Sequence, residues 1–235
     1  MKSIQFRKEN RPAIDLLLGA IFAIAIILLW QTISYFDLIK PLFLPSPFDV
    51  IKGVLYLFVN AGFLKDIFIS IYRVGLGYIL SVAFAIPLGL FLGSYPFFGA
   101  LSMPIISFFR FVPVSAFVPL LILWFGIGDF QKVILIFIGV SFYLLAFVIS
   151  HVRAVKQEYI DSALTLGANN FTVMTRVIFP ACYKQIYDSI RTLLGGGWTL
   201  IVLAELVAAE SGVGKVIIDS QRFLHTDRLI GAIII

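Results

Sequence analysis

Few side chains in this sequence are of a type that could do chemistry, and three of them sit inside apolar runs: Arg73 in SIYRVGLGY, Arg110 in FRFVPVSAFVP and Glu205 in VLAELVAAE. A charge held at mid-bilayer costs at least ~2.5–3.5 kcal/mol, so such residues are by default pathway groups or halves of internal ion pairs. Both roles are open for Arg73, Arg110 and Glu205. Arg110 and Glu205 lie on a proline-broken and a glycine-rich stretch that could line a path, and Pro113 joins them as a gate candidate. A positive residue beside a path would suit an anionic solute.

Other chemistry is thin. His151 and His225 stand far apart, and Cys182 has no second cysteine, so no metal site, nucleophile triad or intrachain disulfide is expected. The segment SGVGKVI, Ser211–Ile217, resembles a phosphate-binding loop only superficially. Such a loop needs glycine five positions before Gly214, where Ala209 stands, and serine or threonine after Lys215, where Val216 stands. The chain is therefore expected to bind no cofactor itself, and energy for any work must come from another polypeptide.

The elements that must position these residues are membrane helices. Hydrophobic residues make up 60% of the 235 and charged ones 13%, far from the roughly 25% charged of a soluble domain. Val133–Ile149 and Leu16–Trp30 carry no ionisable group and approach the ~20 residues that cross hydrocarbon as a helix. Barrel strands would alternate polar and apolar residues, which these runs do not. The net charge of +5 comes from basic residues scattered between runs, which excludes a nucleic-acid footprint.

The expected fold is all-α, a polytopic membrane bundle of about six helices forming one domain over 1–235. Span one is Ala13–Tyr35, read as uncleaved because no small-residue cleavage site follows Trp30. Pro41, Pro45 and Pro47 interrupt the chain, and Ser46 or Asp49 could cap an amphipathic surface helix, Val50–Val59. Span two, Leu64–Gly93, has a kink candidate at Pro87 and a close-approach spacing, Gly89 to Gly93. Span three, Gly99–Trp124, is broken by Pro104, Pro113 and Pro119; span four is Lys132–Ser150 and span five Tyr187–Ala209. LIGAIII, at Leu229–Ile235, rises only about 10 Å as helix, so the sixth span is expected to be cut short.

Flanking basic residues divide almost evenly between the two sides, and Lys2, Arg7, Lys8 and Arg11 before the first span place the N-terminus inside the cell. With four spans before it, segment 156–180 is then cytoplasmic. It reads as two short helices: Ile160, Ala163, Leu164 and Gly167 share one face, and Phe171, Met174 and Ile178 another. Gly167 can end the first helix, Asn169 or Asn170 can cap the second, and Pro180 should stop it. An exposed apolar stripe of this kind suits a partner's groove, or simply rests on the protein's own helix ends.

An acidic residue, two small residues, a glycine four positions on and a β-branched–x–apolar–proline ending resemble the EAA-type signature of binding-protein-dependent ABC transporter permeases. Here it is Asp161-Ser162-Ala163, Gly167, then Val177, Phe179 and Pro180, with Asp for Glu and Ser for the first Ala. LPSP at Leu44–Pro47, SIYRVGLGY, Phe109–Gly128, WTLIVLAELVAAESGVG and FLHTD are similar, in the same order, to the branch importing sulfonates, taurine, nitrate and related nutrient precursors. The resemblance implies a type I importer subunit in the bacterial cytoplasmic membrane whose coupling residues are Asp161, Ser162, Ala163, Leu164, Gly167 and Pro180. It also implies two cytoplasmic ABC ATPase subunits carrying ATP and Mg, an extracytoplasmic solute-binding protein, a second permease copy and surrounding lipid. The rival expectation is an ion-gradient-driven secondary transporter using the charged span residues as coupling sites.

Overall fold

The computed structural model describes residues 12–208 and 210–235, and every regular element among them is helical. In chain order these are α1 (Pro12–Tyr35), α2 (Pro47–Asn60), α3 (Phe63–Ser94), α4 (Pro96–Phe111), a 3₁₀ turn at Val114–Phe117, α5 (Val118–Phe125) and α6 (Asp129–Arg153). Then follow α7 (Gln157–Thr165), α8 (Asn170–Val173), a π-helical turn at Met174–Ile178, α9 (Phe179–Ala208), α10 (Val213–Arg222) and α11 (Thr226–Ile234). Among the described residues, four helical stretches are long and apolar enough to cross a membrane: Ile14–Tyr35, Phe63–Ser94, Asp129–Arg153 and Asn170–Val207; α4 and α5 together would make a fifth. The all-α membrane bundle expected from the sequence is thus present, with a span count slightly below six. Lys2, Arg7, Lys8 and Arg11, on which the orientation rests, lie outside the described residues, as does Ala209.

The described residues form two compact units, one comprising residues up to Gly62 with Ile217–Ile235, the other Phe63–Val216. In the first, Ser46 accepts from the Asp49 amide at 3.2 Å and Pro47 opens α2, so the proline that cannot continue a helix starts one. Helix α2 lies tightly on α11 because a Cβ at Gly53 would sit 2.9 Å from the Asp227 carbonyl carbon. The Arg228 guanidinium covers the Tyr56 ring at 3.7 Å. Helix α1 leaves its apolar side chains exposed, as a lipid-facing helix must, and its Trp30 indole donates to the Pro45 carbonyl at 2.9 Å.

The second unit is built on α3, α6 and α9. Side chains at Gly89 and Gly93 would overlap Val148 and Val152 at 2.6 Å, so the Gly-x₃-Gly spacing does let α3 and α6 meet. Around that line Leu144, Leu145, Val148 and Ile149 of α6 are buried with Ala85, and with Ile186 of α9.

Prolines divide into those that break helices and those that do not. Pro87 and Pro104 sit inside α3 and α4, and Pro119 opens α5. Only Pro113 breaks span three: Val112 is held extended at φ −72°, ψ 127°, and the chain turns by 84°. Span three is therefore a bent pair, not one rod. Pro180 also corrects the sequence reading, since the helix runs through it into α9. The wider π turn just before it, closed by the Phe179 amide donating to the Met174 carbonyl, lets the chain pass the proline without stopping.

Candidate functional site

Segment 156–180 forms an elbow, in which the first of the two predicted short helices ends at Gly167 and a second helix follows. Helix α7 ends in a left-handed residue, Gly167 at φ +83°. Its amide donates to the Leu164 carbonyl at 2.9 Å and the Ala168 amide donates to the Ala163 carbonyl at 3.0 Å, the paired bonds of a Schellman ending. Asn169 then accepts from the Thr172 amide at 2.8 Å and starts α8.

The apolar stripe is split between two environments. Ile160, Ala163, Met174 and Val177 pack against the unit's own core. Leu164, Leu166 and Phe171 are instead exposed, at 44%, 87% and 71%. Asp161 accepts from the Gln157 side-chain amide at 2.9 Å, Ser162 donates back to the Glu158 carbonyl at 2.7 Å, and both are exposed. Pro180 is exposed as well. The elbow is thus anchored by some of its apolar side chains and leaves two leucines and a phenylalanine exposed.

The charged residues gather near the opposite end of the long helices. Arg73 of α3 and Glu205 of α9 are both buried and form an ion pair, with Nη1 donating to Oε1 at 2.6 Å. Arg73 also donates from Nε to Asp129 Oδ1 at 2.8 Å, and from Nη1 and Nη2 to the Ser211 carbonyl and hydroxyl at 2.8 and 2.9 Å. Every guanidinium nitrogen is thereby satisfied, as a buried charge requires.

This arrangement also explains SGVGKVI. The Gly212 amide donates to Asp66 Oδ1 at 2.7 Å, the Val213 amide to Ser70 Oγ at 3.0 Å and the Gly214 amide to Glu205 Oε2 at 2.9 Å. Amides at the start of α10 do meet anions, but these are the protein's own carboxylates, Asp66 and Glu205, with the Ser70 hydroxyl between them. Glycine is required here: a Cβ at Gly212 would collide with the Glu205 carboxylate, and one at Gly214 would lie 2.8 Å from the Val202 carbonyl oxygen.

Arg110 and Pro113 are not part of that cluster. Tyr143 donates to the Arg110 carbonyl at 2.6 Å, and the guanidinium lies 5.4 Å from the Tyr143 ring. Arg110 Nε is buried without a partner among the described residues, while Pro113 is exposed at the bend. Sequence reasoning missed Asp66, Ser70, Asp129 and Ser211. The first two were legible in principle, because Asp66, Ser70 and Arg73 follow at i, i+4 and i+7 on one face of α3.

Residues 85–235 match the family described as binding-protein-dependent transport system inner membrane component. The chain is 34% identical over 209 residues to the taurine transport system permease protein TauC of Escherichia coli (strain K12), covering 87% of this chain and 76% of that protein. It is 30% identical over 229 residues to the putative aliphatic sulfonates transport permease protein SsuC of Bacillus subtilis (strain 168), covering 97% and 83%. Among solved structures, a chain of the MetNI methionine ABC transporter in an inward-facing conformation superposes with a TM-score of 0.62 at 14% identity, over 73% of this chain and 88% of that one.

Proposed function

The chain belongs to the family of binding-protein-dependent transport system inner membrane components, and from that membership we propose how it works as the permease subunit of an ABC importer. Such subunits span the inner membrane several times and act with an ATPase and a substrate-binding protein. Here the elbow 156–180 is the coupling segment, within a permease domain that extends over 1–235. Asp161, Ser162, Ala163, Leu164, Gly167 and Pro180 form its frame, and Leu164, Leu166 and Phe171 its contact face.

Two ATPase subunits, carrying ATP and Mg, grip the coupling segments of two permease copies on the cytoplasmic side. The N-terminus lies on that side too, in a bacterial cytoplasmic membrane. The solute is a small anion of the sulfonate kind, delivered by an extracytoplasmic binding protein. ATP shifts the permease between inward- and outward-open forms only through its differential affinity for the closed ATPase pair. Arg110, with a buried Nε that lacks a partner among the described residues, and Pro113 at the adjoining bend are the pathway residues this reading favours. Arg73 and Glu205 are matched to each other and hold the helices together.

The exposure of Leu164, Leu166 and Phe171 on an element otherwise anchored to the core carries this reading. Its test uses the assembled complex in proteoliposomes. Leu164→Asp and Phe171→Asp, at exposed positions, should leave insertion intact and lower solute-stimulated ATP hydrolysis at least about tenfold, the cost of placing a charge in an apolar contact. Gly167→Pro should abolish stimulation. Normal stimulation in the aspartate variants would remove the coupling role.

A further inference from the structure

Behind the elbow lies a cavity of about 440 Å³, walled by the α3–α4 corner, the end of α6 and the inner faces of α7 and α8. Its floor is apolar, formed by Val152, Val155, Ile160, Leu164, Val173 and Ile178. Its polar lining consists of Arg153, Ser94, Tyr95, Gln157 and Asn170, and among the described residues no carboxylate lines it. The Gln157 amide is partly engaged, donating to Asp161 at 2.9 Å.

Two of these groups lack a partner. Arg153 makes no ion pair or side-chain hydrogen bond among the described residues. Ser94 Oγ is buried and has none either, a state that is costly unless something bonds it. The fold makes room for the cation: a Cβ at Gly99 would run into the Arg153 guanidinium. Helix α4 also starts at this wall with no side-chain cap on its first amides, which adds a weak positive field.

The cavity sits where the apolar spans Phe63–Ser94 and Asp129–Arg153 end. Phe97 and Phe98 beside it are exposed, and Phe91, Tyr95 and Phe98 cluster with ring centroids 5.0 to 6.4 Å apart. Aromatic side chains at span ends mark the headgroup level of a bilayer, and basic pockets between helices at that level hold lipid phosphates.

We propose that this cavity binds the phosphate of an anionic phospholipid, with Arg153 as its charge partner, Ser94 and Asn170 as donors, and the glycerol region on the apolar floor. A headgroup held there braces α7 against the fixed ends of α3 and α6. Binding itself depends only on the cavity and the span ends; a consequence for ATP hydrolysis would rest on the coupling reading above.

The test is native mass spectrometry of the full chain in phosphatidylcholine nanodiscs titrated with phosphatidylglycerol. Arg153→Gln should weaken retention of phosphatidylglycerol about tenfold, the loss of one charge-assisted contact, while Arg153→Lys keeps most of it. Ser94→Ala, a smaller change at a site with no internal partner to lose, should weaken retention about threefold. Lys184→Gln, an exposed basic position outside the cavity, should bind as the parent does. Equal retention by all variants, or an equal loss in Lys184→Gln, overturns the site. Retention of inorganic phosphate at millimolar concentration in discs without phosphatidylglycerol, abolished by Arg153→Gln, would overturn the lipid as occupant. Because no ATPase is present, the result is independent of whether the elbow couples.

Discussion

Glu205 neutralises Arg73, accepts from Ser70 at 2.9 and 3.0 Å and accepts from the Gly214 amide. Removing its charge leaves Arg73 buried beside a neutral partner, with Asp129 as its remaining counter-ion. Breaking one side of a buried pair costs about 3–5 kcal/mol, whereas replacing both sides by apolar groups costs far less. Glu205→Met and Arg73→Met should therefore each lower the thermal unfolding midpoint sharply, and the double variant Arg73→Met with Glu205→Met should cost less than the two together. Simple additivity in that cycle would mean the pair is not coupled. The sequence marked both residues as functional candidates but left their pairing open. Their separation of 132 positions explains why, since no local pattern reports which buried charges meet across helices.

At the scale of elements, a close-approach line on α3 was legible because glycine spacing acts locally, but its partner α6 was not. Gly89 and Gly93 are four apart, hence on one face, and both abut valines of α6. Gly89→Ile should overpack that contact and destabilise the protein by about 1–3 kcal/mol, measured by thermal unfolding in detergent. An unchanged midpoint would show that α3 and α6 can separate at this level without cost. Prolines were less legible, since their effect depends on what precedes them. Pro113 follows a residue held extended and bends the chain, while Pro180 follows a π turn and does not. Nothing in the residues of Met174–Ile178 announces that extra-wide turn, so the sequence suggested a stop where the structure has a continuous helix.

At the scale of the whole molecule, the transport reading requires the elbow and the Arg73–Glu205 clamp to lie on opposite sides of the membrane. Helix α6 separates them: its 25 residues rise about 37 Å, more than the ~30 Å of hydrocarbon. Ile127, just before α6, and Leu166, at the elbow, are 61% and 87% exposed. The only cysteine, Cys182, is buried, so a Cys182→Ala background gives a clean reporter for cysteines placed at those two positions. A membrane-impermeant maleimide added to intact cells should label Ile127→Cys and spare Leu166→Cys; inside-out vesicles should reverse the pattern. Adding the ATPase subunits to those vesicles should then slow labelling of Leu166→Cys, because the coupling contact covers it. Labelling of both positions from one side would remove α6 as a span. Labelling of Leu166→Cys from outside would put the elbow beyond reach of any cytoplasmic motor.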